Sequence, residues 1–271
     1  MEERGRIQAK KSLGQHFLNN PRVPGRMADA VSVTAGDVVV EIGPGTGVLT
    51  RTLLDRGATV IAIEADARAI SILEEAFPVE CKNKQLTLIH GDITDYNITT
   101  LPIADHHYKV VANIPYYLSG LLFRKFLETT VQPSDLVFLV QKEVAERIVH
   151  DPKESLLSLS VKVYGAPRYV EKVGKGNFSP APKVDSAIIA ISHISRDAFA
   201  SRNLSEEVFF DLLHVGFAAR RKQLLGNLAA RFDRAVLIQI FSTLDLPTDI
   251  RGEDVSPEAW LDLVRLLTTP N

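Results

Sequence analysis

Asn113-Ile114-Pro115-Tyr116 sets an amide, a proline and an aromatic ring directly after a short apolar run, Val110-Val111-Ala112. Such a run reads as the end of a buried strand, and open α/β sheets bind ligands beyond the C-terminal ends of their strands. The chemistry this set could do is transfer of a methyl group to an amino group attached to an aromatic ring. That nitrogen is a poor nucleophile because its lone pair is delocalised into the ring. It needs acceptors that draw both N–H groups out of the ring plane. The Asn113 side-chain oxygen can accept one such bond, and the Ile114 carbonyl the other. Pro115 has no donor and a fixed φ, so it stiffens the turn that aims that carbonyl. Tyr116 can stack on the base. The same four residues also suit a plain strand-to-helix turn, with Asn as N-cap and Pro in the first helical turn, so the rest of the chain has to decide.

A second set of chemistry-bearing residues lies upstream. Glu41-Ile42-Gly43-Pro44-Gly45-Thr46-Gly47 follows another apolar run, and its glycines allow a sharp turn and a close ligand approach. A dinucleotide fingerprint would want its third glycine at position 48, which is Val. The spacing therefore suits a nucleoside ligand with no diphosphate to be held. Glu64 lies 21 residues after Gly43, where a carboxylate can accept from both ribose hydroxyls. Asp92 can accept from the exocyclic amine of an adenine. Glycine loop, Glu and Asp thus end three successive strands, and S-adenosylmethionine is the ligand that matches them. Its sulfonium makes a methyl group electrophilic, so the cofactor carries the hard chemistry. Position 48 also disfavours a nicotinamide-dependent oxidoreductase.

The elements that must hold these residues are legible as alternating apolar runs and helical segments. Strands are expected at 37–42, 59–63, 86–90, 108–112 and 136–140, with helices at 21–31, 48–56 and from Glu64 to Phe77. This pattern predicts an α/β fold with a doubly wound, mostly parallel, Rossmann-like sheet. A helix at 156–164 and strands at 168–173 and 185–194 follow, separated by a Gly- and Pro-rich loop at 174–184. Composition shifts near Ser195, and helices are expected at 205–230, 234–244 and 257–268. The expected division is a domain at 1–195, with a basic arm at 1–20, and a small all-helical domain at 196–271.

The 271 residues are 45% hydrophobic and 24% charged, values of an ordinary globular protein. No apolar run approaches membrane-spanning length, and Met1 to Lys11 has no apolar core of a signal peptide. Cys81 is the sole cysteine, so no internal disulfide and no cysteine-based metal site is expected. A cytoplasmic, metal-free, monomeric protein is the expectation. Net charge is −2, so any nucleic-acid contact must rest on local charge. Residues 196–271 carry nine Lys and Arg against eleven Asp and Glu.

Taken together, the motifs resemble one family nearly end to end: the ribosomal RNA adenine N6,N6-dimethyltransferases. The similarity runs from Leu13-Gly14-Gln15-His16-Phe17-Leu18 through Glu41 to Gly45, Asn113 to Tyr116, Gln141-Lys142-Glu143, Phe178 to Ser186 and Arg220-Arg221-Lys222, ending at Arg251-Gly252-Glu253. Within the family it looks most like the bacterial enzymes of the small ribosomal subunit. The resemblance implies dimethylation of two adjacent adenines in a terminal hairpin loop of small-subunit rRNA during ribosome assembly. It implies that His16 and Leu18 line the methionine side of a cofactor site completed by Gly43, Gly45, Glu64, Asp92 and Asn113. Many members have Asn where His16 stands, and His can also donate. It further implies that Phe178 lies opposite Tyr116, clamping the target base, and that Arg220, Arg221 and Lys222 touch RNA, with Lys10, Lys11 and Lys183 candidates for the same stripe. Rival readings are a relative acting on large-subunit rRNA, of the macrolide-resistance type, and a non-catalytic nucleic-acid-binding relative. Intact cofactor and Asn113-to-Tyr116 motifs argue against the latter.

Overall fold

Residues with no polar side chain to satisfy fill the middle of the main sheet: Val39, Val40, Val60, Ala62, Val110, Val111, Ala112 and Leu136 to Val140 are all fully buried. Strands apolar on both faces must be covered on both faces, which is the condition for parallel pairing. The computed structural model describes residues 14–219 and 222–268. In chain order its strands are β1 (Phe17–Leu18), β2 (Val38–Ile42), β3 (Thr59–Glu64), β4 (Leu86–His90), β5 (Lys109–Asn113), β6 (Asp135–Gln141), β7 (Ala166–Val173), β8 (Phe178–Ser179) and β9 (Ser186–Ser192).

Seven of these form one sheet in the order β4-β3-β2-β5-β6-β9-β7. The pairs from β4 to β6 are parallel, and β9 is antiparallel to both β6 and β7. The chain winds outward from β2 through β3 to β4, then returns to β5 on the other flank of β2. The order therefore reverses between β2 and β5, and a crevice opens beyond their C-terminal ends. The Gly43 loop follows β2, Glu64 is the last residue of β3, and Asn113 is the last residue of β5. β1 and β8 form a separate two-stranded antiparallel ribbon, pairing Phe17 with Ser179 and Leu18 with Phe178.

The doubly wound sheet matches the expected class, and several local readings change. The stretch after Glu64 is two helices, Ala67–Ala76 and Pro78–Lys82. Cys81 lies in the second, half-buried against the core. Helices at Ser119–Leu127 and Lys142–Val149 follow β5 and β6. The helix expected over 205–230 is two, Glu206–Gly216 and Leu224–Leu228. Its first part ends where Trp260 packs on Gly216, so closely that a Cβ there would stand 2.3 Å from the indole.

The described residues group into two compact units. One takes residues up to Glu146 together with Ala166–Ile194, and the other takes Arg147–Gly165 together with residues from Ser195 onward. A single cut at 195/196, as the composition shift suggests, misses that 147–165 packs with the helical unit. In that unit Trp260 is fully buried, donates from Nε1 to the Gly252 carbonyl (3.0 Å) and stacks on Phe217 (5.8 Å). Tyr164 joins Phe199 and Phe210 in a second aromatic cluster, so the 147–165 segment shares that unit's core. Among the described residues no helix is long and apolar enough to cross a membrane.

Candidate active site

Beyond the ends of β2, β3 and β5 lies a cleft lined by His16, Gly43, Gly45, Glu64, Asp92, Asn113, Ile114, Pro115 and Tyr116. Nine sequence-derived candidates from five separate stretches thus converge on one cavity. The sheet brings them together because parallel neighbours end at the same edge.

The glycine loop forms one wall. Gly43 has φ +65°, a conformation that disfavours side chains, and a Cβ added there would meet nothing within 4 Å. Its missing side chain leaves open space in the cleft wall. Gly45 is glycine for a different reason. At φ +57° its Cβ would stand 2.9 Å from the Phe17 ring, so the loop admits the close passage of that ring. Phe17 itself lines the cleft, as do Gln15, Ile63, Ala65 and Ile93. Sequence reasoning missed these, since apolar residues such as Ile63, Ala65 and Ile93 carry no chemical signal of their own, and Gln15 and Phe17 lie on an arm whose place the sequence does not reveal.

Glu64 is almost wholly buried. One carboxylate oxygen accepts from the Gly45 amide (3.0 Å) and the other from the Asp66 amide (2.8 Å). Burial pushes its pKa up, opposed by these two amides. Each oxygen keeps a further lone pair, so the carboxylate can still accept from a diol. Asp92 is exposed, with one oxygen accepting from the Thr94 amide (2.9 Å) and hydroxyl (2.8 Å).

Glu41, ahead of the glycine loop, is buried to 1% exposure, and among the described residues neither of its oxygens nor the nearby Thr50 hydroxyl has a hydrogen-bond partner. Burial pushes its pKa from 4.5 up to about 8. The Thr50 hydroxyl opposes the rise even though the pair falls outside hydrogen-bond geometry, and the Glu64 charge adds to it.

Asn113 closes the opposite side. Its Nδ2 donates to the His16 carbonyl (3.0 Å), which leaves Oδ1 as an acceptor with no donor among the described residues. The turn after it satisfies itself elsewhere. Leu118 N–H donates to the Pro115 carbonyl (3.0 Å) and Ser119 Oγ to the Tyr116 carbonyl (2.8 Å), and the Ile114 carbonyl accepts from no donor among the described residues. Asn113 does not cap the helix that follows, because its Oδ1 accepts from no backbone amide of the turn. The Tyr116 hydroxyl pairs with Ser186 Oγ (2.6 Å), and the His16 ring stacks on the Tyr116 ring (5.9 Å, 24°). His16 also donates from Nδ1 to the Pro180 carbonyl (2.8 Å), tying the arm to the 178–186 loop.

Two expected site residues lie elsewhere. The Phe178 ring is 3% exposed and belongs to the hydrophobic core under the β1–β8 ribbon. It does not line the cleft, and its residue pairs with Leu18 across the ribbon. Leu18 is in the same core and borders a small cavity of about 20 Å³ shared with Glu41, Gly43 and Asn113. Of the basic candidates, Lys183 borders an open groove with Lys142, Lys175 and Asp185. Lys222 lines a cavity of the helical unit with Arg147 and Lys153. Lys10, Lys11, Arg220 and Arg221 lie outside the described residues. Among the described residues no His, Cys, Asp or Glu cluster is placed to hold a metal ion.

The chain is 38% identical over 260 residues to a ribosomal RNA small subunit methyltransferase A of Dehalococcoides mccartyi, covering 95% of this chain and 88% of the relative. It is 36% identical to the Deinococcus radiodurans protein of the same name, covering 92% and 82%. Among solved structures, a dimethyladenosine transferase from Plasmodium falciparum superposes with a TM-score of 0.76 at 27% identity, over 92% of this chain and 96% of that one. A 23S rRNA methyltransferase superposes at 0.71 over 93% and 100%, and at 24% identity it speaks for the fold alone. The family described as ribosomal RNA adenine dimethylase matches residues 6–269, and the chain belongs to that family.

Proposed function

We propose that the protein dimethylates N6 of two adjacent adenines in a hairpin loop of small-subunit ribosomal RNA, with S-adenosylmethionine as methyl donor. The observation that carries this reading is the state of Asn113. Its amide nitrogen is used by the arm, and among the described residues its oxygen and the neighbouring Ile114 carbonyl are both spare. Two acceptors side by side at a strand end are what a conjugated amine needs in order to localise its lone pair.

The residues present fit the cofactor. Glu64 would take the ribose hydroxyls, Asp92 the adenine amine, and Gly43 and Gly45 the close approach of the nucleoside, with His16 on the methionine side. S-adenosylmethionine supplies a methyl group on a sulfonium, an electrophile that needs no metal and no covalent enzyme intermediate. Asn113 and Ile114 then orient the adenine amine, Pro115 holds the Ile114 carbonyl in place, and Tyr116 supports the base. No strong base is required, since the methylated nitrogen becomes acidic and can lose its proton to water. The contribution of the protein is positioning and preorganised acceptors. A base in a loop is easier to extrude than one in a duplex.

RNA would be held by Lys183 on the catalytic unit and by Arg220, Arg221 and Lys222 on the helical unit, with Lys10 and Lys11 on the arm. The substrate would be an assembling small subunit, met in the cytoplasm by a single copy of the chain. Mass spectrometry of rRNA from small subunits lacking these methyl groups, after incubation with purified protein and S-adenosylmethionine, tests the reading. Two neighbouring N6,N6-dimethyladenines are the expected product. Methylation of large-subunit rRNA instead, or of neither, would overturn it.

A further inference from the structure

The Phe178 ring is buried in the core, and a second ring stands beside Tyr116. Tyr117 lines the same cleft as Asn113 and Tyr116. At 66% exposure it is the one aromatic side chain among the described residues that is left mostly to solvent. Its hydroxyl has no hydrogen-bond partner among the described residues. One edge of the ring is backed by the arm. Gly14, at φ +59°, passes so close that a Cβ there would stand 3.1 Å from Tyr117 Cε1 and 3.5 Å from the Pro115 side chain. The ring is therefore positioned by its neighbours without being used by the core.

We infer that Tyr117 is a stacking platform for the nucleotide next to the target adenine. This rests on the RNA reading above. Every base has a π-face, so an aromatic platform accepts the neighbour whatever its identity. Two rings at consecutive chain positions, one half-buried in the cleft and one at its rim, match two consecutive bases, one inserted and one outside. Dimethylation at N6 leaves the π-face of adenine intact. A finished adenine can therefore occupy the Tyr117 platform while its neighbour enters the cleft, which is what modification of adjacent adenines demands.

The test uses the full-length protein and an RNA hairpin with one methylatable adenine in its loop, with 2-aminopurine at the adjacent position. That analogue has no 6-amino group to methylate, and its fluorescence is quenched on stacking. Wild type and Tyr117→Phe should quench the probe, and Tyr117→Ala should leave it bright. Methyl transfer by Tyr117→Ala should fall by about 5- to 160-fold in kcat/KM, the range that a lost base–aromatic stack implies. Affinity for S-adenosylmethionine, measured by calorimetry without RNA, should be unchanged. Equal quenching or unchanged kcat/KM in Tyr117→Ala overturns the platform, and weakened cofactor binding would reassign Tyr117 to the cofactor. A wild-type protein that methylates no hairpin or subunit defeats the proposed function itself. An active wild type with an indifferent Tyr117→Ala defeats only this inference.

Discussion

On the side of the cleft that carries Gly43, Glu64 and Asp92, each group stands at the end of a parallel strand or in the turn right after it. Glu64 is locked there by two backbone amides. On the side that carries Tyr116, the pieces come from three distant stretches of chain. The His16 carbonyl holds Asn113, the His16 ring covers Tyr116, and Pro180 and Ser186 hold His16 and the Tyr116 hydroxyl. The first wall is a property of the sheet edge, with Glu64 fixed by backbone amides. The second is assembled by side-chain contacts among the arm, the 113–118 turn and the 178–186 loop. Damage to the first should therefore appear in cofactor affinity, and damage to the second in the rate of transfer.

The largest expected effect separates the two walls directly. Asn113→Ala should lower single-turnover methyl transfer at saturating S-adenosylmethionine by about 10²–10³, the loss typical of one preorganised acceptor in a transition state. A near-normal rate would show that the amine needs no acceptor there. Next, Glu64→Ala should weaken S-adenosylmethionine binding by roughly 1.5–3 kcal/mol, the contribution of hydrogen bonds to a charged group. The amides of Gly45 and Asp66 lose their acceptor too, so calorimetry should be run on protein whose melting transition remains cooperative. Unchanged affinity would remove Glu64 from the cofactor wall.

Smaller effects sharpen the contrast. Replacing Arg220, Arg221 and Lys222 together with Ala should reduce the slope of log K for RNA against log salt by about 2–3, since fewer counterions are released. Cofactor affinity should not move. A slope equal to wild type would make the triplet a solvated surface.

Glu41 offers a test by pH. Its folded pKa, about 8, lies above its ordinary 4.5, so the folded state binds the proton more tightly than the unfolded chain. The stability it contributes is full below pH 4.5 and is lost as pH rises towards 8. Glu41→Gln should thus raise the melting temperature relative to wild type more at pH 9 than at pH 5. A constant difference across that range would mean that Glu41 is already paired.

The smallest effect belongs to Tyr116→Phe, which keeps the ring and loses only the bond to Ser186. Its transfer rate should stay within a few-fold of wild type, the loss of about 0.5–1.5 kcal/mol for a neutral hydrogen bond. An inactive variant would show that the hydroxyl, rather than the ring, carries the function.

The sequence by itself determined the sheet and the cofactor wall, and the reason is local. Apolar runs such as Val110-Val111-Ala112 have no alternative to burial, and the residue that ends each run is automatically at the sheet edge. Gly43, Glu64, Asp92 and Asn113 could be read there because position along a strand decides position in space. The same logic fails where tertiary contacts choose. Phe178 sits in a Gly- and Pro-rich loop that could expose or bury it, and in the fold its ring is buried in the core. Gly45 read as a ligand-binding glycine, whereas the approach of Phe17 also demands it. The helix expected over 205–230 had the right periodicity, and Trp260, more than 40 residues from Gly216, occupied the space a side chain at that glycine would need. The segment 147–165 precedes two strands of the main sheet, yet Tyr164 found its aromatic partners in Phe199 and Phe210. Periodicity records which residues must leave water, and only the folded chain decides which of the available neighbours receives them.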